Sequence, residues 1–206
     1  MQQKNDDLSK KQKSTLQKQS ARFGISIYYI ALIAIFGALI YVLTAFAAFP
    51  IGTGYVHLGD IFIFTACMFL GYYAIIPTIL GSVIADLFLG FSYYVPATAI
   101  LKGLMVIIFL LVKGKKTSGI KVLVSMIIAS VFMQIGYTGY ELLLVVIGSA
   151  NALTYAAVLS PILILSNFSQ TIFGVLGGWI LIRISHKLNL YDRAKIIISI
   201  EKEKHE

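Results

Sequence analysis

Long apolar runs are the feature that most limits what this sequence can fold into. From residue 25 to residue 182 they follow one another with few charged residues between them. Of 206 residues, 58% are hydrophobic and 13% are charged, whereas an average globular domain carries about 25% charged residues. Because about 20 apolar residues span a bilayer as a helix, the sequence predicts an integral membrane protein.

The basic residues indicate how the chain is oriented in the membrane. Of 17 Lys and Arg residues, six lie within residues 1–22, four within 113–121 and six from residue 183 onward. Basic residues collect on the cytoplasmic side of membrane spans, so both termini are expected in the cytoplasm. This distribution accounts for the net charge of +8, and no nucleic-acid partner is expected.

The number of spans follows from which loops lie outside and which lie inside. Residues 58–112 connect an outer loop to the basic inner loop, so they must cross the membrane an odd number of times. One crossing leaves too much apolar sequence unplaced, whereas three short crossings fit the breaks at Gly71 and between Gly90 and Pro96. The sequence therefore predicts an all-α membrane protein with six transmembrane helices and both termini cytoplasmic. The expected helices are 25–49, 58–71, 73–90, 96–112, 120–147 and 160–182.

The predicted domain boundaries follow from this count. A basic cytoplasmic tail, 1–22, precedes a six-helix membrane domain, 23–188, and a second cytoplasmic tail, 189–206, follows it. The loops assigned to the outside, 50–57, 91–95 and 148–159, contain no Lys or Arg, in agreement with the assignment.

Polar and aromatic residues gather at one depth, near the outer face. Ionisable groups are costly inside a bilayer, so each is a candidate for function. The predicted substrate-binding residues are Tyr55, His57, Asp60, Tyr94, Lys102, Tyr137, Tyr140, Glu141, Asn167 and Gln170. The inner halves of the spans carry little that is polar beyond Ser and Thr. This asymmetry indicates a pocket that opens outward and is sealed below, rather than a channel or a proton relay.

Structural roles compete with binding at several of these positions. Asp86 and Lys102 are expected to form an interhelical ion pair, which could serve packing alone. Asp60 is suited to cap the second helix. Glu141 has no second spare cation to pair with, so it is the partner of Lys102, protonated, or a ligand contact. A lone histidine such as His57 is poor evidence for a metal site, and none is expected.

The first helix carries a face of small residues. Ala31, Ala34 and Ala38 recur at helical spacing, and small residues at such positions allow close approach of another helix in lipid. The face serves either packing within the bundle or docking of a partner. Cys67 is the single cysteine, so no intrachain disulfide forms.

A series of ordered motifs lies between residues 54 and 105. The motifs are Gly54-Tyr-Val-His-Leu-Gly-Asp60, Gly71, Gly81-Ser-Val-Ile-Ala-Asp86, Tyr94-Val-Pro-Ala-Thr98 and Lys102-Gly-Leu-Met105. In this order they resemble the S components, the substrate-binding subunits, of energy-coupling factor (ECF) vitamin transporters. The resemblance is to the riboflavin-type subgroup, which includes members associated with pyridoxine, hydroxymethylpyrimidine and cobalamin.

This resemblance implies a partner assembly. It implies a six-helix subunit that holds one vitamin, without a cofactor, in an outward-facing pocket. It further implies that small residues of the first helix, matched here by Ala34 and Ala38, pack on a membrane coupling subunit, the T component. Two cytoplasmic ATPases would drive transport, because this chain has no GxxxxGK[ST] motif of its own.

The candidate ligand follows from the residues that surround the pocket. Tyr137 and Tyr140 share the level of Glu141, so a ring could stack on them and hydrogen-bond to the carboxylate. Since a carboxylate favours a protonated ring nitrogen, pyridoxine or hydroxymethylpyrimidine fits best, with riboflavin as the alternative.

Two other classes of function are weaker hypotheses. An autonomous small transporter or channel would want polar residues in the inner halves, and the sequence has no evident inverted repeat. An intramembrane enzyme would want a nucleophile and base together, and no GxSxG motif occurs.

Overall fold

The computed structural model describes residues 27–51, 54–116, 119–148, 161–194 and 196, which form six long helices, one short hairpin and a further helical stretch from residue 190. The helices are α1 (Ile27–Ala45), α2 (Asp60–Leu70), α3 (Ile75–Phe88), α4 (Val95–Lys113), α5 (Ile120–Val146) and α6 (Pro161–Lys187). Short 3-10 turns, Gly71–Ala74 and Ser92–Tyr94, lead into α3 and α4. The all-α membrane architecture is thus confirmed, and the helices coincide closely with the predicted segments.

Five segments of the described chain are long and apolar enough to cross a bilayer. They are Tyr28–Ala45, Asp60–Phe88, Ser92–Lys113, Ile120–Val146 and Phe168–Lys187. The second segment holds two helices, α2 and α3. Asp60 opens α2 beside Lys102, and Asp86 near the end of α3 also lies within electrostatic reach of Lys102. Because the chain leaves and returns to the same end of the bundle, α2 and α3 run in opposite directions.

The reversal between α2 and α3 depends on Gly71. Its φ of 57° lies in the left-handed region, which a residue without a Cβ adopts without strain. The 3-10 turn that follows lies at the opposite end of the bundle from Asp60. Tyr73 in this turn contacts Tyr29 near the start of α1, with ring centroids 5.3 Å apart.

Two predicted helix boundaries are corrected by the structure. The first helix ends at Ala45 rather than at residue 49, because Phe49–Ile51 pairs with Gly54–Val56 as an antiparallel hairpin. The last helix continues to Lys187, past the expected end at residue 182. The Arg183 guanidinium lies 4.8 Å from the centre of the Trp179 ring, so this charge is accommodated on the helix surface.

Packing places α2 near the middle of the bundle. It lies mainly against α6 and α1, while α3 packs on α1 and α4, and α4 packs on α5. The inner part of the bundle is filled by buried apolar side chains, here called the apolar core. Its principal members are Ile63, Phe64, Cys67, Met105, Phe109, Val122, Met126 and Ala129.

The outer surfaces of the helices are apolar. Large exposed side chains include Ile84 on α3, Ile100 on α4, Ile135 on α5 and Phe173 on α6. Such a surface suits lipid rather than water. The predicted tail 1–22, the loop 149–159 and most of the predicted tail 189–206 lie outside the described residues.

Candidate functional site

Polar side chains from the hairpin and from α2 to α6 meet at one end of the bundle. We call this group the polar cluster. It consists of Tyr55, His57, Asp60, Asp86, Tyr94, Thr98, Lys102, Met133, Tyr137, Glu141 and Gln170. Most of these residues were expected from their common depth in the sequence, and their contacts with one another follow.

An ion pair between Lys102 and Asp60 lies at the centre of the polar cluster. The Lys102 ammonium donates to Asp60 Oδ1, and both residues are about 1% exposed. The same ammonium lies 3.0 Å from the Met133 sulfur, and Gln170 Nε2 donates to Asp60 Oδ2 over 3.1 Å. Because each Asp60 oxygen has a donor, this pair is fully satisfied.

The expected pairing of Lys102 with Asp86 is wrong. Both aspartates lie at the depth of the lysine, but the sequence alone does not say how each helix is rotated about its axis. Asp60 faces α4, whereas Asp86 faces the hairpin and accepts a hydrogen bond from Tyr55. The ionic partner of Lys102 therefore comes from α2.

Asp60 does not cap α2 through its side chain. The N-cap residue is Gly59, with no side-chain capping hydrogen bond, and Asp60 is the first helical residue. Its carboxylate still lies at the positive end of the helix dipole. Close packing of α6 supports this arrangement, because a Cβ on Gly174 would lie 3.0 Å from the Asp60 Cβ. Gly174 thus allows Gln170, one turn earlier, to reach Asp60.

His57 is a buried neutral imidazole that joins the hairpin to the polar cluster. Its Nδ1 accepts a hydrogen bond of 3.1 Å from the Gly59 backbone N–H, and its Nε2 lies 3.5 Å from Gln170 Nε2. Burial, and then the nearby Lys102 ammonium, lowers the pKa of His57 to about 4. Within the described ranges no three His, Cys, Asp or Glu side chains lie together as metal ligands.

Asp86 belongs to a second group of contacts around the hairpin. Tyr55 donates to Asp86 Oδ1, and Thr98 on α4 lies close to the same carboxylate. Burial and the Asp86 carboxylate raise the pKa of Tyr55 above its usual range, so its phenol stays a donor. Thr98 also accepts a hydrogen bond of 3.0 Å from the Tyr137 hydroxyl.

Glu141 is held by a tyrosine rather than by a cation. The Tyr94 hydroxyl donates to Glu141 Oε1 over 2.5 Å, and no contact joins Glu141 to Lys102. Of the three roles expected for Glu141, that of the ionic partner of Lys102 is therefore excluded here. Tyr140 lies at the edge of the polar cluster, where its hydroxyl donates to the Tyr93 carbonyl over 2.5 Å.

Aromatic rings form a continuous wall around these groups. The Phe91 ring lies 5.0 Å from that of Tyr55 and 6.2 Å from that of Tyr94. Tyr94 in turn meets Tyr137 edge-on at 6.2 Å. The wall therefore runs from the hairpin to α5, and its rings suit a flat aromatic ligand.

Two contact residues, Thr98 and Met133, were not among the predicted binding residues. Helical spacing could have found both. Thr98 lies four residues before Lys102, and Met133 lies four residues before Tyr137, so each shares a helix face with a predicted residue. The side chain of Asn167, by contrast, lies outside what the structure describes.

The predicted small face of α1 is not used for packing within the described part of the bundle. Ala31, Ala34 and Ala38 are all exposed, whereas Phe36 and Ile40 on the opposite face are buried. Small exposed residues on a membrane helix leave room for the close approach of another helix.

Comparison with known proteins places the chain in a family. Residues 24–187, which include all six helices, match the family model described as "ECF-type riboflavin transporter, S component". No curated protein matches the chain significantly. A match over about four-fifths of the chain shows membership, and it agrees with the resemblance carried by residues 54–105. The protein therefore belongs to the ECF transporter S component family, whose members are vitamin-binding membrane subunits of transporters and not enzymes.

Proposed function

We propose that this subunit binds a small heteroaromatic vitamin, such as pyridoxine or hydroxymethylpyrimidine, at the polar cluster. The observation that carries the proposal is the state of Glu141. One of its oxygens accepts from Tyr94, while the other has no hydrogen-bond partner among the described residues. A carboxylate with a free oxygen, beside aromatic rings, is suited to a protonated ring nitrogen.

Riboflavin is the second candidate. It is favoured by the description of the matching family model. Its ring system could use the same aromatic wall, and its hydroxyl groups could donate to carboxylate oxygens. Comparing the two kinds of ligand on one preparation decides between them.

The first experiment is a binding screen on the purified full-length protein. Pyridoxine, hydroxymethylpyrimidine, riboflavin and cobalamin are compared by isothermal calorimetry and by ligand-induced thermal shift. The proposal expects micromolar or tighter binding of the first or second compound. Absence of binding by all four would contradict a vitamin-binding role at this site.

A variant of Glu141 tests the residue itself. Glu141→Gln keeps the shape and one hydrogen bond but removes the charge, so affinity should fall about 10- to 100-fold. The matched control is Asp192→Asn, the same chemical change at an exposed position after α6. Equal affinity of Glu141→Gln and the unmodified protein would remove Glu141 from the site.

We further propose that the exposed face of α1 docks a T component and that two cytoplasmic ATPases supply the energy. The exposure of Ala31, Ala34 and Ala38 supports this docking surface. Ala34→Leu should abolish co-purification of partner subunits from native membranes while ligand affinity stays unchanged. Ile100→Phe enlarges a lipid-facing side chain on α4 and is the control. Retained assembly in Ala34→Leu would move the docking surface elsewhere.

A further inference from the structure

Two buried carboxylates in the polar cluster each have one oxygen without a hydrogen-bond partner among the described residues. Asp86 is 3% exposed and Glu141 is 7% exposed, so neither is solvated by bulk water. Asp86 Oδ1 accepts a hydrogen bond from Tyr55, with the Thr98 hydroxyl also beside this carboxylate, and Glu141 Oε1 accepts one from Tyr94. Asp86 Oδ2 and Glu141 Oε2 have no partner in the part of the chain that the structure describes. Buried acceptors of this kind require a donor, because leaving them unpaired is costly.

The polar cluster also contains more acidic groups than cations. Lys102 is the one cation of the polar cluster, and this lysine already forms an ion pair with Asp60. His57 does not supply a second, since its Nδ1 accepts from Gly59 and the ring is neutral. Two further acidic groups therefore face a site without a counter-charge.

Asp86 and Glu141 both lie near the same two tyrosines. Tyr137 lies within electrostatic reach of both carboxylates, and Tyr93 does so as well. Tyr137 also links the two sides directly. It donates to Thr98, which lies close to Asp86, and it packs edge-on against Tyr94, which donates to Glu141. A ligand beside Tyr137 would therefore lie near both carboxylates.

We infer that the ligand bridges Asp86 and Glu141 through hydrogen-bond donors at two separate points, and that the site rejects phosphate esters of the same ligand. The inference rests on the proposed vitamin-binding function and specifies its chemistry. The accepted class is uncharged or cationic, with N–H or O–H groups at both ends. A phosphate brings two negative charges beside the two carboxylates, so like-charge repulsion opposes binding.

The test compares matched ligands on the full-length protein. Pyridoxine and riboflavin are each measured beside their phosphate monoester and beside the neutral acetyl ester at the same hydroxyl. The phosphate ester should bind about 100-fold more weakly than the parent vitamin. The acetyl ester should bind much more tightly than the phosphate ester, which separates charge from bulk. Equal rejection of both esters would overturn the inference.

Variants test whether the two carboxylates cause the discrimination. The double variant Asp86→Asn, Glu141→Gln should reduce the ratio of phosphate-ester to vitamin dissociation constants by about tenfold or more. Because the ratio is measured within one protein, a loss of folded material does not alter it. Asp192→Asn, exposed and outside the polar cluster, should leave the ratio unchanged.

The outcomes separate this inference from the function on which it rests. A vitamin that binds together with its phosphate ester, within tenfold, would overturn the inference while the proposed function stands. An unchanged ratio in the double variant would overturn it as well. Absence of binding by every parent vitamin would overturn the proposed function and this inference with it.

Discussion

The two ends of this bundle are stabilised in different ways. Around Phe109, the apolar core contains closely packed hydrocarbon, with Phe64 and Phe109 rings 5.3 Å apart. Around Lys102, the polar cluster is held by hydrogen bonds and one ion pair. Lipid is as apolar as a helix surface, so packing alone must hold the first region. The polar cluster, unlike the apolar core, presents directional groups to a ligand, and the comparison predicts that the two regions fail differently.

Removing the central cation should have the largest effect. Lys102→Met leaves Asp60 buried without its ionic partner and should lower the free energy of unfolding by about 4 kcal/mol. Chemical denaturation in detergent micelles measures it, and ligand affinity should fall in the same variant. The double variant Lys102→Met, Asp60→Asn removes both charges and should recover most of the stability. Failure to recover would mean that the lysine stabilises the bundle by some means other than this pair.

A cavity in the apolar core should lower stability without affecting recognition. Phe109→Ala removes a fully buried ring and should cost about 3 kcal/mol of stability. Ligand affinity of the folded fraction should remain within about twofold, because the polar cluster lies at the other end. A large loss of affinity would show that the two regions are coupled.

Acidification should weaken the attachment of the hairpin. The pKa of His57 is about 4 when folded and about 6.5 when unfolded, so the unfolded chain binds more protons between these values. The stability that neutral His57 contributes to the folded state is complete above about pH 6.5 and is lost as pH falls towards 4. From pH 7 to pH 5 the loss is about 2 kcal/mol. Melting temperatures across this range measure it, and His57→Gln should flatten the dependence.

Replacing a threonine by valine inside and outside the polar cluster should give the smallest change in stability, and the two variants differ in one hydrogen bond. Thr98→Val in the polar cluster removes the acceptor of the Tyr137 hydroxyl and should cost about 1 kcal/mol. Thr78→Val on α3 replaces a buried hydroxyl without a partner among the described residues, so stability should change by less than about 0.5 kcal/mol. Comparable losses in both variants would contradict the contrast between the regions.

The sequence allowed the helices and most members of the polar cluster to be predicted, because both depend on position along the chain. Apolar run lengths locate the spans, and breaks such as Gly71 separate α2 from α3. Depth alone brings Lys102, Asp60 and Glu141 to one level. These properties need no knowledge of how one helix is turned against another.

The pairings could not be predicted for the same reason. Asp60 and Asp86 are at equal depth, and only the rotation of α2 and α3 about their axes decides which one meets Lys102. The hairpin could not be predicted either, because backbone groups form its pairing of Phe49 with Val56 and leave little signal in the sequence.

The brevity of α3 has a consequence for the surrounding lipid. This helix has 14 residues and rises about 21 Å, whereas the hydrocarbon of a bilayer is about 30 Å thick. Its exposed side, with Ile76, Leu80 and Ile84, faces the acyl chains directly. This hydrophobic mismatch beside α3 favours local thinning of the membrane or a tilt of the whole subunit. Acyl-chain length thereby becomes a determinant of how this protein stands in its membrane.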